Sequence, residues 1–137
     1  MSFNPYLFFS GDCAEAFAHY HEVFGGDLNV MKHADVPEGS GMPDADPEAV
    51  MHASLRVGDA LLMGSDDPSG TGGAKVGSAV AYTAPDPAEA KRAFDALSEG
   101  GEVGAPFGPT FWSKGFGMCT DRFGVPWMVD TAGEPEG

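Results

Sequence analysis

Basic side chains are scarce in this sequence: 7 Lys and Arg stand against 21 Asp and Glu, a formal net charge of −14. Nucleic acid and anionic membranes are bound through Lys and Arg, so neither is expected as a partner. Long apolar runs are missing too. No stretch nears the roughly 18 residues of a membrane span, and no basic segment leads an apolar one at the start, so a soluble, cytoplasmic protein is expected. The two cysteines, Cys13 and Cys119, form no CxxC motif and read as reduced, small core residues. They lack a sequence cue for a His/Asp relay, and the pentapeptide GxSxG is absent. Gly70-Thr71-Gly72-Gly73-Ala74-Lys75 lacks the Gly-Lys-Ser/Thr ending of a phosphate loop and reads as a linker.

What the chain does have is a repeat. Tyr6-Leu7-Phe8-Phe9-Ser10-Gly11 leads into Asp12-Cys13-Ala14-Glu15-Ala16-Phe17, and Ser78-Ala79-Val80-Ala81-Tyr82-Thr83 leads into Asp86-Pro87-Ala88-Glu89-Ala90. Both helical stretches start at Asp with Glu three residues on, the spacing of a capping box. Both end in a glycine pair, Gly25-Gly26 and Gly100-Gly101, suited to the left-handed backbone that closes a helix. With 137 residues, 42% hydrophobic, one compact domain of two halves can bury a core.

The first helix, Asp12 to Phe24, places Ala16, Phe17, Tyr20 and Phe24 on one stripe and Glu15, Ala18, His19 and Glu22 on the other side. A strand near Leu28 to His33 follows, then an aperiodic loop from Ala34 to Ala49 with Pro37, Pro43 and Pro47, expected to be a mobile rim or lid. Val50 to Val57 and Ala60 to Ser65 read as a hairpin across Gly58-Asp59, and Asp66 to Lys75 as the linker. In the second half, a strand over Ser78 to Thr83 precedes a helix over Asp86 to Ser98 with a stripe of Ala90, Ala93, Phe94 and Leu97. A short strand near Glu102 and a turn at Pro106-Phe107-Gly108-Pro109 follow. Phe111 to Thr120 and Val125 to Asp130 then form a closing hairpin. The fold expected is α+β: two βαβββ modules (1–65 and 76–131, linker 66–75) forming a curved mixed sheet of eight strands around a central groove, helices outside.

Paired modules of this order resemble the vicinal oxygen chelate superfamily, which includes glyoxalase I, extradiol dioxygenases and bleomycin and fosfomycin resistance proteins. The segments Pro5-Tyr6-Leu7, Gly11-Asp12-Cys13-Ala14-Glu15-Ala16, Phe24-Gly25-Gly26, His52-Ala53-Ser54-Leu55, Leu62-Met63-Gly64-Ser65-Asp66, Phe111-Trp112, Gly115-Phe116-Gly117 and Phe123-Gly124-Val125-Pro126-Trp127 are similar to its PhnB-like branch. That branch is sometimes labelled after 3-demethylubiquinone methyltransferase, yet this chain has no glycine-rich strand-to-helix turn for S-adenosylmethionine. The resemblance implies four metal-ligand positions, which here hold Pro5, Met63, Ser78 and Met128. Two thioethers, a hydroxyl and a proline do not suit magnesium, zinc or iron, so no metal and no cofactor are expected.

Alternation in Val50 to Val57 puts Met51, Ala53, Leu55 and Val57 on one face and His52, Ser54 and Arg56 on the other. His52 is either a ligand-orienting or proton-moving group or a strand-end histidine bonded to backbone. His19 and His21 point to nearly opposite helix faces and cannot share a metal. Phe9, Tyr82, Phe111, Trp112, Phe116 and Trp127 line an apolar cavity or simply fill the core. Trp112, Lys114, Phe116 and Met118 alternate along one strand face, and Met63 and Met128 make the groove deformable or are ordinary core residues. The ligand-binding set is thus His52, Ser54, Met63, Ser78, Trp112, Phe116 and Met128. The function expected is a small-molecule binding protein, or an enzyme of unknown reaction, with an apolar metal-free groove and a homodimeric state. The alternatives are a metal-dependent glyoxalase or dioxygenase using His52 with Asp66 or Asp130, and a drug-sequestering resistance protein.

Overall fold

The computed structural model describes residues 3–35, 47–67, 75 and 77–132. The chain divides into two compact units, Met1–Gly72 and Gly73–Gly137. The expected linker falls mostly outside the described residues, as does the 36–46 part of the expected lid. The described ends of that loop are tied together: the amides of His33 and Ala34 donate to the carbonyls of Ala49 and Pro47, at 3.1 and 2.9 Å.

Module one runs β1 (Tyr6–Phe9), α1 (Cys13–Phe24), β2 (Asp27–Lys32), β3 (Val50–Val57) and β4 (Ala60–Asp66). Its sheet has the order β1-β4-β3-β2, with β1 parallel to β4 and the other pairs antiparallel. Module two repeats the plan with β5 (Val80–Ala84), α2 (Pro87–Ser98), β6 (Glu102–Gly108), β7 (Phe116–Thr120) and β8 (Pro126–Thr131), in the order β5-β8-β7-β6. The eight strands therefore hydrogen-bond as two four-stranded mixed sheets, one per module.

Each helix packs on one face of its own sheet. In α1, Cys13, Ala16, Phe17, Tyr20 and Val23 are buried, and they meet Phe9, Ala53 and Leu55 from the strands. In α2 the buried set is Ala90, Ala93, Phe94 and Leu97, as the sequence pattern requires. Burying a large side chain such as Phe94 or Leu97 contributes about 1.5–3 kcal/mol, and an alanine less. His19, expected on the solvated side of α1, is only 8% exposed, because the buried stripe is wide enough to take the position three residues after Ala16. Val23 replaces Phe24 at the stripe's end, and Phe24 is half-buried.

Three further expectations are corrected. The carboxylate of Asp12 makes no cap bond; Asp66 Oδ1, from β4, accepts from the amides of Gly11 and Cys13 at 2.9 and 3.0 Å instead. The other helix start follows the sequence, with Asp86 Oδ1 accepting from the Glu89 amide at 2.9 Å. Pro106, Phe107 and Gly108, expected in a turn, belong to β6. That strand lies at a sheet edge and its register shifts twice, so a residue with no N–H is tolerated there. Finally, β7 begins at Phe116 rather than Phe111. Thr110 Oγ1 accepts from the amides of Trp112 and Ser113, at 3.3 and 3.1 Å, which folds 110–113 into a turn.

Candidate functional site

The register of module one decides which side chains turn away from α1. Gly64 faces the helix, since a Cβ there would lie 2.8 Å from the Phe17 ring. Its neighbours on either side in β4 therefore point the other way. Pairing places Tyr6 beside Met63, Met63 beside Ser54, and His52 beside Met31, all on that open face with Phe8. Its rings and thioether are accessible, with Tyr6, Phe8 and Met31 38%, 56% and 44% exposed, and toward β2 the face turns polar at Asn29, Asp27 and Arg56.

Across this face Tyr6 reaches over β4 to a strand it does not pair with. Its hydroxyl lies 3.2 Å from His52 Nδ1, the two rings are 5.8 Å apart, and Phe8 packs on Tyr6 at 5.2 Å. His52 thus has a side-chain partner, not the backbone partner weighed in the sequence. Sequence reasoning missed Tyr6 as a site residue. The signal lay in alternation within Tyr6-Leu7-Phe8-Phe9, but only the parallel pairing with β4 gives it a target.

In module two a Cβ on Gly117 would meet the Phe94 ring at 2.8 Å, so Gly117 faces α2. Phe116, Met118, Met128 and Asp130 then share the opposite face, where Met118 pairs with Met128 and Phe116 with Asp130. Trp112 packs edge-on against Phe116 at 5.4 Å and against Phe111 at 4.8 Å, and is half-exposed. It comes from the turn, not from a shared strand alternation with Phe116, and the same holds for Lys114. Ser113 Oγ lies within hydrogen-bond reach of the Asp130 carboxylate and 2.8 Å from the Gly115 carbonyl, and Ser113 is 1% exposed. Asp130 also accepts from the Thr131 amide at 2.7 Å.

Several sequence candidates lie elsewhere. Phe9 packs against Phe17 on the helix side, and Trp127 is buried with its indole N–H on Asp121 Oδ2 at 2.9 Å. Tyr82 pairs with buried Val129 and stands on the helix side too; burial, then Glu89, raises its hydroxyl pKa. Pro5 and Ser78 precede their strands and are exposed; the register sets Tyr6 beside Met63 and Ala81 beside Met128, a shift from the aligned positions.

These positions bear on the metal implied by the resemblance. In module one Tyr6 and Met63 offer a phenol and a thioether, and in module two Ala81 and Met128 offer one thioether, with no carboxylate or imidazole in either pair. Neither pair fits a hard or borderline divalent ion. Asp66, a suggested unorthodox ligand, spends both oxygens on backbone: Oδ1 on Gly11 and Cys13, Oδ2 on Val50 at 3.0 Å. Among the described residues no three His, Cys, Asp or Glu side chains converge on one point.

Two modules of strand, helix and three strands, each leaving one sheet face free of its helix, define a class, and the sequence matches it. The chain belongs to the Glyoxalase/Bleomycin resistance protein/Dioxygenase superfamily, whose family model matches residues 2–129. It is 35% identical to protein YjdN of Escherichia coli K12 over 143 residues, covering 95% of each chain. It is similar to the crystal structure of protein PA1353 from Pseudomonas aeruginosa, at 45% identity, TM-score 0.83, and 96% and 97% coverage. The PhnB protein from Bacillus cereus shares the fold at 21% identity, TM-score 0.77, with 96% of this chain and all of that one covered. No helix among the described residues is long and apolar enough to cross a membrane.

Proposed function

We propose that this chain is a small-molecule binding protein, or an enzyme acting on such a molecule without a divalent metal, and that the open face of module one takes the ligand. The observation that carries the reading is the Tyr6–His52 contact, one polar pair set among Phe8, Met31 and Met63 on an accessible apolar face. An apolar surface with a few convergent polar groups is the usual make-up of a small-molecule site. Ser54 adds a hydroxyl beside Met63. Phe116, Met118 and Met128, with Trp112 against Phe116, form a second apolar surface on module two. The methionines lend both surfaces the adaptability of unbranched thioethers.

The reading is tested by a thermal-shift screen of untagged protein against aromatic acids, quinones, 2-oxoaldehydes and divalent metals. A ligand present at about 100 times its Kd adds roughly 2.7 kcal/mol of stability. His52→Ala should abolish most of that gain while leaving the unliganded midpoint nearly unchanged. Stoichiometric zinc, iron, nickel or manganese in the purified protein would overturn the metal-free part. Homodimer formation belongs to the same proposal, supported by the exposed rings of Phe3 and Phe111, at 95% and 89%. A monodisperse monomer by light scattering at micromolar concentration would remove it.

A further inference from the structure

We infer that the ligand of module one's open face carries a neutral carbonyl oxygen on a planar apolar body, and that Tyr6 selects it by fixing which nitrogen of His52 holds the proton. This rests on that face being the binding surface, as proposed above. The Tyr6 hydroxyl and His52 Nδ1 lie 3.2 Å apart. A phenol is the stronger acid of the two and an imidazole nitrogen the better acceptor, so the hydroxyl donates and Nδ1 accepts. A neutral imidazole has a single N–H, which this bond assigns to Nε2. Among the described residues, none bonds Nε2. The face therefore presents the oriented Nε2–H donor, with the Ser54 hydroxyl one residue pair away, among thioethers and rings.

Such a donor discriminates by what it loses. A ligand that covers it without an acceptor strips its water and returns no bond, whereas a carbonyl restores one. Charge separates the neutral carbonyl from the carboxylate. The chain carries −14 overall, and the cation on this face, Arg56, stands directly across the β2–β3 pair from Asp27. An anion is repelled by the first and gains little from the second. The rings of Tyr6 and Phe8, 5.2 Å apart and tilted 43° to each other, each offer one face against which a planar body can stack.

The probes are three bicyclic molecules of similar size: chromone, which has a neutral carbonyl, naphthalene, which has no acceptor, and 1-naphthoate, an anion. Binding to wild type and to Tyr6→Phe is measured by calorimetry, with urea midpoints showing that both proteins fold. Chromone should bind wild type roughly three- to tenfold tighter than naphthalene, the range of one net hydrogen bond. In Tyr6→Phe that ratio should fall by up to about twofold, because the Nε2–H form is then only part of the ring population. Nitrogen-15 spectra of the His52 ring in mildly alkaline buffer should show the Nε2–H tautomer in wild type and a mixture in Tyr6→Phe, a change that loss of packing alone does not produce. Equal affinity for naphthalene, tightest binding of 1-naphthoate, or an unchanged tautomer overturns the inference and leaves the binding face standing. If none of the three binds, the face and the inference fall together.

Discussion

Phe17 of α1 stands over Gly64 of β4 so closely that a methyl group on that glycine would lie 2.8 Å from its ring and 2.8 Å from the Leu7 carbonyl oxygen. Phe94 of α2 does the same over Gly117 of β7. Neither glycine has a positive φ, so space and not backbone freedom demands them. Each glycine lets a helix settle onto its sheet, which turns the flanking side chains, Met63 and Phe116 among them, to the open face. Gly64→Ala and Gly117→Ala should each cost about 1–3 kcal/mol by overpacking. Gly108→Ala is the control. Nothing lies within 4 Å of a Cβ there, and its urea midpoint should stay within about 0.5 kcal/mol of wild type.

Local signals in the sequence placed both helices, the β3–β4 hairpin and the buried stripe of α2, because helical periodicity and glycine turns act within a few residues. Features set by distant pairing were harder to read. Nothing near Asp12 announces that Asp66, more than fifty residues away, holds the amides at the start of α1. Nothing near His52 announces Tyr6, whose strand joins the sheet through β4. Trp112 has an alternation-compatible position, yet the Thr110 hydroxyl draws 110–113 into a turn, a competition that a periodicity argument does not weigh. Met63 and Met128 entered as positions implied by the resemblance, since Leu61-Leu62-Met63 has no alternation to read, and pairing turns both away from the helices.

The two helix starts look alike in sequence and differ in structure, which yields a paired prediction. Asp86 accepts the Glu89 amide, so Asp86→Ala should cost about 1 kcal/mol. Asp12 makes no such bond, and Asp12→Ala should cost no more than about 0.5 kcal/mol, the range of an ordinary surface change. Equal losses in chemical denaturation would mean that Asp12 caps α1 after all.

Asp66 should behave as a structural carboxylate. It is 9% exposed and accepts three backbone amides, from Gly11, Cys13 and Val50, tying the start of α1 and the start of β3 to β4. Asp66→Ala leaves those donors without their partner, at about 1–3 kcal/mol for each that stays buried and unbonded, so a loss of several kcal/mol is expected. Asp66→Asn should lose less, since its amide oxygen still accepts on one side while its NH2 meets an N–H on the other. Unfolding midpoints of the two variants check the order; a silent Asp66→Ala would refute the clamp.

Cys119 makes the final prediction, one of pH. The side chain is 3% exposed on the helix face of β7, paired with Trp127. Burial first, and the Asp121 carboxylate second, push its thiol pKa from 9.0 up to about 11. The sign follows from proton counts. Between these values the unfolded chain has lost the thiol proton and the folded chain keeps it, so stability falls as pH rises. The contribution is complete below pH 9.0 and gone once the pH passes about 11. Tyr82 also has a raised pKa, so the thiol must be isolated by comparison. Urea unfolding of wild type and Cys119→Ala across this range should show the wild-type advantage shrinking as pH rises, while Cys119→Ala lacks that part of the slope. The same protonated, buried thiol should resist iodoacetamide at neutral pH in the native protein and react once urea exposes it. Rapid native alkylation at Cys119, or a wild-type advantage that stays flat through pH 11, would contradict the assignment.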